Sequence, residues 1–99
     1  MGIGLKMARS GLQDRMARAE DGDVEALFEL GIAYATGAPD LEIDYVAAHK
    51  WFNLAALNGD GRGQQCRADL AEEMSAREIA EAQKQARAWL AVTRGRLAA

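Results

Sequence analysis

The sequence predicts an all-α fold, a short α/α solenoid of about five helices stacked as antiparallel hairpins. Three observations carry that expectation. Of 99 residues, 21 are alanine, nine are β-branched and one is proline. Alanine costs nothing to hold helical, whereas strands favour β-branched and aromatic side chains, so an all-β fold is excluded and an α/β sheet is disfavoured. Turn-forming clusters at Asp21-Gly22-Asp23, Gly37-Ala38-Pro39-Asp40, Asn58-Gly59-Asp60-Gly61 and Met74-Ser75 then cut the chain into five segments of helical periodicity. Finally, 49% hydrophobic against 27% charged residues is the balance of a chain that folds. The length suits one small domain, 1–99.

The first helix is expected over 5–20, where Leu5, Ala8, Leu12, Met16 and Ala19 form a stripe that Gly11 weakens. The second, over 23–36, begins at an Asp23 N-cap with Glu25 in its positive first turn and ends at Gly37. It carries two apolar stripes, Leu27/Leu30/Gly31/Tyr34 and Phe28/Ile32/Ala35, as a helix sandwiched between neighbours does. The third, over 44–58, is capped by Asp44. Tyr45, Ala48, Phe52 and Ala55 face the core with Ala47, Trp51 and Leu54, and His49, Lys50 and Asn53 form a polar side. The fourth, over 62–73, has a thinner stripe of Cys66, Leu70 and Met74. The fifth has the strongest start signal. Ser75 and Glu78 make a capping box, with Met74 and Ile79 as its hydrophobic staple. Its stripe runs Ile79, Ala82, Ala86, Trp89 and Leu90, with Glu81 and Lys84 paired outside. Short connections predict antiparallel packing of consecutive helices.

Twelve Lys+Arg against fifteen Asp+Glu give a net charge of −3, without the basic footprint of a nucleic-acid binder. Arg87, Arg94 and Arg96 instead complement the negative end of a final helix. No apolar stretch of about 18 residues is present to insert into a membrane. The N-terminus lacks a secretory apolar run, and Lys6 stands where a myristoylation motif needs Ser or Thr. With Cys66 as the single cysteine, the expected setting is cytoplasmic.

Gly22-Asp23 recurs 37 residues later as Gly59-Asp60, the length of one helix–turn–helix unit with its connector. Ala26 and Gly31 in one helix and Ala48, Ala55 and Ala56 in the next are small where backbones must approach. Leu30, Tyr34 and Trp51 fill the space between layers. In the second copy Arg67 and Ala68 replace Leu30 and Gly31. Ala19, Gly22, Asp23, Ala26, Leu30, Gly31, Tyr34, Gly37, Asp44, Ala48, Trp51, Ala55, Ala56 and Gly59 stand in the order and spacing of the Sel-one-like repeat, a relative of the tetratricopeptide repeats. The stretch 22–59 therefore resembles that family's unit, 5–20 a flanking helix and 60–99 a degenerate repeat with its capping helix. The loop Gly37-Ala38-Pro39-Asp40-Leu41 departs from the family pattern, being one residue longer and lacking a second glycine.

Other chemistries fit poorly. One histidine, His49, and one cysteine cannot assemble a zinc site from this chain, and no cofactor motif stands out. Asp21, Asp23 and Glu25 resemble the start of a calcium loop, but Ala26 and Ile32 stand where it needs Gly and Glu. Gly59-Asp60-Gly61-Arg62-Gly63 is glycine-rich, yet follows a helix and lacks the lysine of a phosphate loop. A His49–Cys66 thiol pair is the residual enzymatic reading, set against Cys66 as a small core residue and His49 as partly exposed.

The resemblance implies a non-catalytic protein-interaction module, an adaptor or scaffold of a bacterial-type complex, to which a partner helix or extended segment docks. By the same analogy the first helix of each hairpin lines the binding side. That nominates a polar edge of Glu25, Glu29 and Arg62 and an apolar edge of Phe28 and Ile32. The plainer alternative is that Phe28 and Ile32 pack on the first helix. The alternative function is a self-associating homo-oligomer, such as a homodimer, through the apolar edge.

Overall fold

A computed structural model describes the backbone of residues 3–98 and the side chains of residues 11–94. Five helices, α1 (Ile3–Glu20), α2 (Val24–Thr36), α3 (Tyr45–Leu57), α4 (Gly61–Ala71) and α5 (Ala76–Ala98), make up 79% of the chain, and no strand occurs among the described residues. Leu5 and Ala8 of the expected first stripe lie outside the described side chains, as does Arg96. Leu12 and Met16 pack on the core as expected, and Ala19 is part of it.

The starts of α2, α3, α4 and α5 each have a visible cause. Asp23 accepts from the Glu25 and Ala26 amides, Asp44 from Ala47 and Asp60 from Arg62. These side chains satisfy backbone donors that have no partner within the first turn. Ser75 and Glu78 bond reciprocally, the Ser75 amide donating to Glu78 Oε1 at 2.8 Å and the Glu78 amide to Ser75 Oγ at 3.1 Å. The two Gly-Asp turns repeat one another bond for bond. Gly22 donates to Ala19 O and Asp23 to Arg18 O; 37 residues on, Gly59 donates to Ala56 O and Asp60 to Ala55 O. The glycines reach φ of 92° and 95°, a left-handed conformation that side chains resist.

The core lies between α2 and α3, where Leu27, Leu30, Trp51 and Leu54 are buried among Ala19, Ala26, Ala55 and Ala86. Close approach depends on glycine at two points. A Cβ at Gly31 would lie 2.4 Å from Phe52 Cδ1, and one at Gly63 would lie 2.8 Å from the Phe52 carbonyl oxygen. Both helices that flank α3 thus press on the same residue. The Trp89 ring meets Trp51 edge-on, with centroids 5.6 Å apart and planes at 80°, and ties α5 to the core.

Five expectations are corrected. The fifth helix does not pack chiefly on the fourth: α5 lies along α3, with Ala82 and Ala86 buried at the contact. The α4 helix is too poor in apolar side chains to hold it, since Gly63 is its one buried residue. His49 is not partly exposed but only 3% accessible, because the expected polar side of α3 is covered as well. There Arg67 of α4 donates to Asn53 Oδ1. Tyr45, expected on the core stripe, is 38% exposed, since the first turn of α3 borders the open α2–α3 connection. Cys66 is half-buried rather than in the core. On the outer side of α5, Glu81 accepts a hydrogen bond from Gln85 at 3.0 Å rather than pairing with Lys84.

Candidate functional site

Helical spacing sets Glu25, Phe28, Glu29 and Ile32 on one outward stripe of α2. The structure brings all four to a single shallow groove of about 260 Å³, completed by Arg15 of α1 and by Ala33. Its apolar floor is Phe28, Ile32 and Ala33. Phe28 divides itself between two roles: its ring packs on Phe52, with centroids 5.7 Å apart, while its other side lies in the groove. Ile32 is 39% exposed, and the ring that Phe28 packs on belongs to α3 rather than to the first helix.

The charged rim is neutralised from both sides. Arg15 Nε and Arg18 Nη2 donate to Glu29 Oε1 at 3.2 and 3.1 Å, and Arg18 Nη1 also reaches Asp23 at 3.0 Å. Arg62 sits outside the groove and braces it. Its guanidinium bonds Glu25 and Asp60 and lies over the Phe28 ring, 4.1 Å from the centroid. Glu25 and Arg62 occupy equivalent places 37 residues apart, one residue into each helix after its Asp cap. The side-chain bond from Arg62 holds the Asp60 carboxyl below its usual range. Most of these side chains are about half exposed, Asp60 being the covered one, so solvent screens the pairs and their main effect is to hold the rim side chains in place.

Chemically, the groove offers an apolar surface framed by oriented ion pairs. It contains no nucleophile beside a base. The Cys66 thiol is pushed up by burial, with Asp69 and Asp60 adding to the effect, so it stays protonated at neutral pH. His49 is pushed down, first by burial and then by the Arg67 charge, and its Nδ1 has no hydrogen-bond partner. No group of three or more His, Cys, Asp or Glu side chains that could hold a metal ion occurs among the described residues. Likewise, no helix among them is long and apolar enough to cross a membrane.

Sequence reasoning did not single out Arg15, Arg18 or Ala33. Arg15 and Arg18 stand at i,i+3 on α1, a spacing visible in the sequence, yet their common partner Glu29 depends on how α1 crosses α2. The fold and the groove together define an all-helical chain with an open apolar seat on one helix face. No protein-family model, no curated protein and no solved structure matches the chain.

Proposed function

We propose that this chain is a non-catalytic protein-interaction module of the Sel-one-like repeat kind, acting as an adaptor, scaffold or regulatory subunit. The α2 groove receives one apolar side chain carried on a helical or extended segment of a protein partner. The observation that carries the reading is the convergence of Glu25, Phe28, Glu29 and Ile32 on one open groove whose rim charges are already paired. An incoming apolar group there covers Phe28 and Ile32 without stranding a charge. The bond-for-bond recurrence of the Gly-Asp turns supports the repeat reading. The single cysteine, which can form no intrachain disulfide, supports a cytoplasmic setting, and the bacterial one rests on the repeat resemblance alone.

A photocrosslinking residue at Ile32, with Lys84 on the outer face of α5 as control, tests this in the native host. The expected result is one discrete adduct from Ile32 and none from Lys84. The partner identified in that adduct should then bind the purified chain, and lose about tenfold or more in affinity to Phe28→Ala or Glu29→Arg at unchanged helicity. Equal crosslinking from both positions, or none from Ile32, overturns the docking surface. An adduct of two copies of this chain, matched by a dimer in sedimentation, replaces the adaptor by the self-associating alternative.

A further inference from the structure

A larger groove of about 630 Å³ opens beside the α2–α3 connection, nearer the C-terminal end of α2 than the Phe28 seat. Its apolar surface comes from Tyr34, Leu41, Ile43, Tyr45 and Val46. Ile43 is 57% exposed, although the loop that carries it is firmly held. Ala38 and Leu41 exchange two backbone hydrogen bonds, at 2.9 and 3.0 Å, and the Asp44 amide donates to the Tyr34 carbonyl at 2.9 Å. Ile43 and Tyr45 are therefore presented to solvent on a preorganised backbone, beside a Tyr34 that packs partly on the core.

The charges around this surface have one sign. Glu42, Asp44 and Glu78 line it, and no lysine or arginine does. Asp44 and Glu78 each accept from a backbone amide at a helix start; no base among the described residues forms an ion pair within 4.0 Å with any of the three, and only the Lys50 charge acts on Asp44, from farther away. The α2 groove differs in this respect, since Arg15, Arg18 and Arg62 engage its carboxylates.

We propose that this second groove docks a basic segment of a protein partner, with an apolar side chain set against Ile43 and Tyr45 and lysine or arginine side chains reaching the three carboxylates. Apolar contact supplies the seat, and the carboxylates select the sign of the partner and speed its approach. The exposed Tyr45 ring offers the same cations a second attraction. Anionic partners, whether nucleic acids or acidic membranes, are repelled by the same charges. The surface is separate from the α2 groove, and the inference stands whether or not that groove is occupied.

The test is a titration of the isotopically labelled full chain with acetyl-Lys-Phe-Arg-Leu-Lys-amide, followed by amide NMR shifts, with the glutamate-for-base analogue as control. The basic peptide should shift Tyr34, Ile43, Tyr45 and Val46, leave Phe28 and Ile32 unmoved, and bind more weakly as salt rises. The combined variant Glu42→Gln, Asp44→Asn and Glu78→Gln removes the charges while keeping residues that cap helices well. It should weaken binding about tenfold at unchanged helicity. Tyr45→Ala should weaken the peptide without changing the salt dependence. Absence of shifts, equal binding of the acidic peptide, shifts on the Phe28 face instead, or full affinity in the charge-free variant would each overturn the proposal.

Discussion

The hairpin of α2 and α3 and the later pair α4 and α5 begin alike and pack differently. Both follow the same Gly-Asp turn, with matching hydrogen bonds and matching glycine φ. Yet α2 buries Ala26, Leu27, Leu30 and Gly31, whereas α4 buries Gly63 alone. Helix initiation and helix burial are thus separable properties. The turn and its Asp cap set where a helix starts; what it does next depends on whether Leu-Gly or Arg-Ala follows. With Arg67 and Ala68 in place of Leu30 and Gly31, α4 meets α3 through a close backbone approach at Gly63 and a hydrogen bond to Asn53. The long α5 then takes the apolar side of α3 that α4 cannot cover.

The sharpest way to break the comparison is to truncate equivalent positions. Leu30→Ala should cost about 2–5 kcal/mol, because the side chain is fully buried and its cavity cannot collapse. Arg67→Ala should cost about 1 kcal/mol, the worth of one hydrogen bond to Asn53. Denaturant melts of the two variants measure the gap, and equal losses would mean that α4 is as deeply embedded as α2.

A pH series probes the α3–α4 contact from within. His49 titrates lower in the folded chain than its ordinary value of 6.5, so the unfolded chain takes up the proton first. Stability is therefore full above about pH 6.5 and falls as the pH drops through the folded value, by at most about 1.4 kcal/mol per pH unit. His49→Leu should flatten that part of the profile. A decline that persists unchanged in the variant would place its origin elsewhere, among the carboxylates.

The smallest effects should fall on what the two halves share. Asp23→Ala and Asp60→Ala should each cost about 1 kcal/mol, since each removes one N-cap. Asp23→Asn and Asp60→Asn should recover most of it. Circular dichroism melts would show whether the two losses match; a far larger loss at Asp23 would tie cap strength to the burial of the helix that follows.

The helix starts were legible because their signals are local. Asp23, Asp44 and the Ser75–Glu78 box each act within three residues, so composition and spacing suffice to find them, while Asp60 was seen only as part of the repeated Gly-Asp turn and its capping role came from the structure. The face of α2 was nominated from the repeat resemblance, and helical spacing accounts only for its four residues lying together. His49 and Tyr45 were misplaced because periodicity specifies a face of α3 and not how many neighbours cover it. The second groove gave little signal, since Tyr34, Ile43 and Glu78 come together only when the loop folds back beside the start of α5.

Five helices, their caps and the recurring Gly-Asp turn follow from residues within a turn or two of one another, and alanine content alone argues for that class of fold. Which helix covers which is a different matter. That α5 lies on α3, that Arg15 and Arg18 meet at Glu29, and that Arg62 braces Glu25 depend on side chains distant in sequence competing for the same surface. Such contacts are decided by shape and burial when the whole chain packs, and no local pattern contains them.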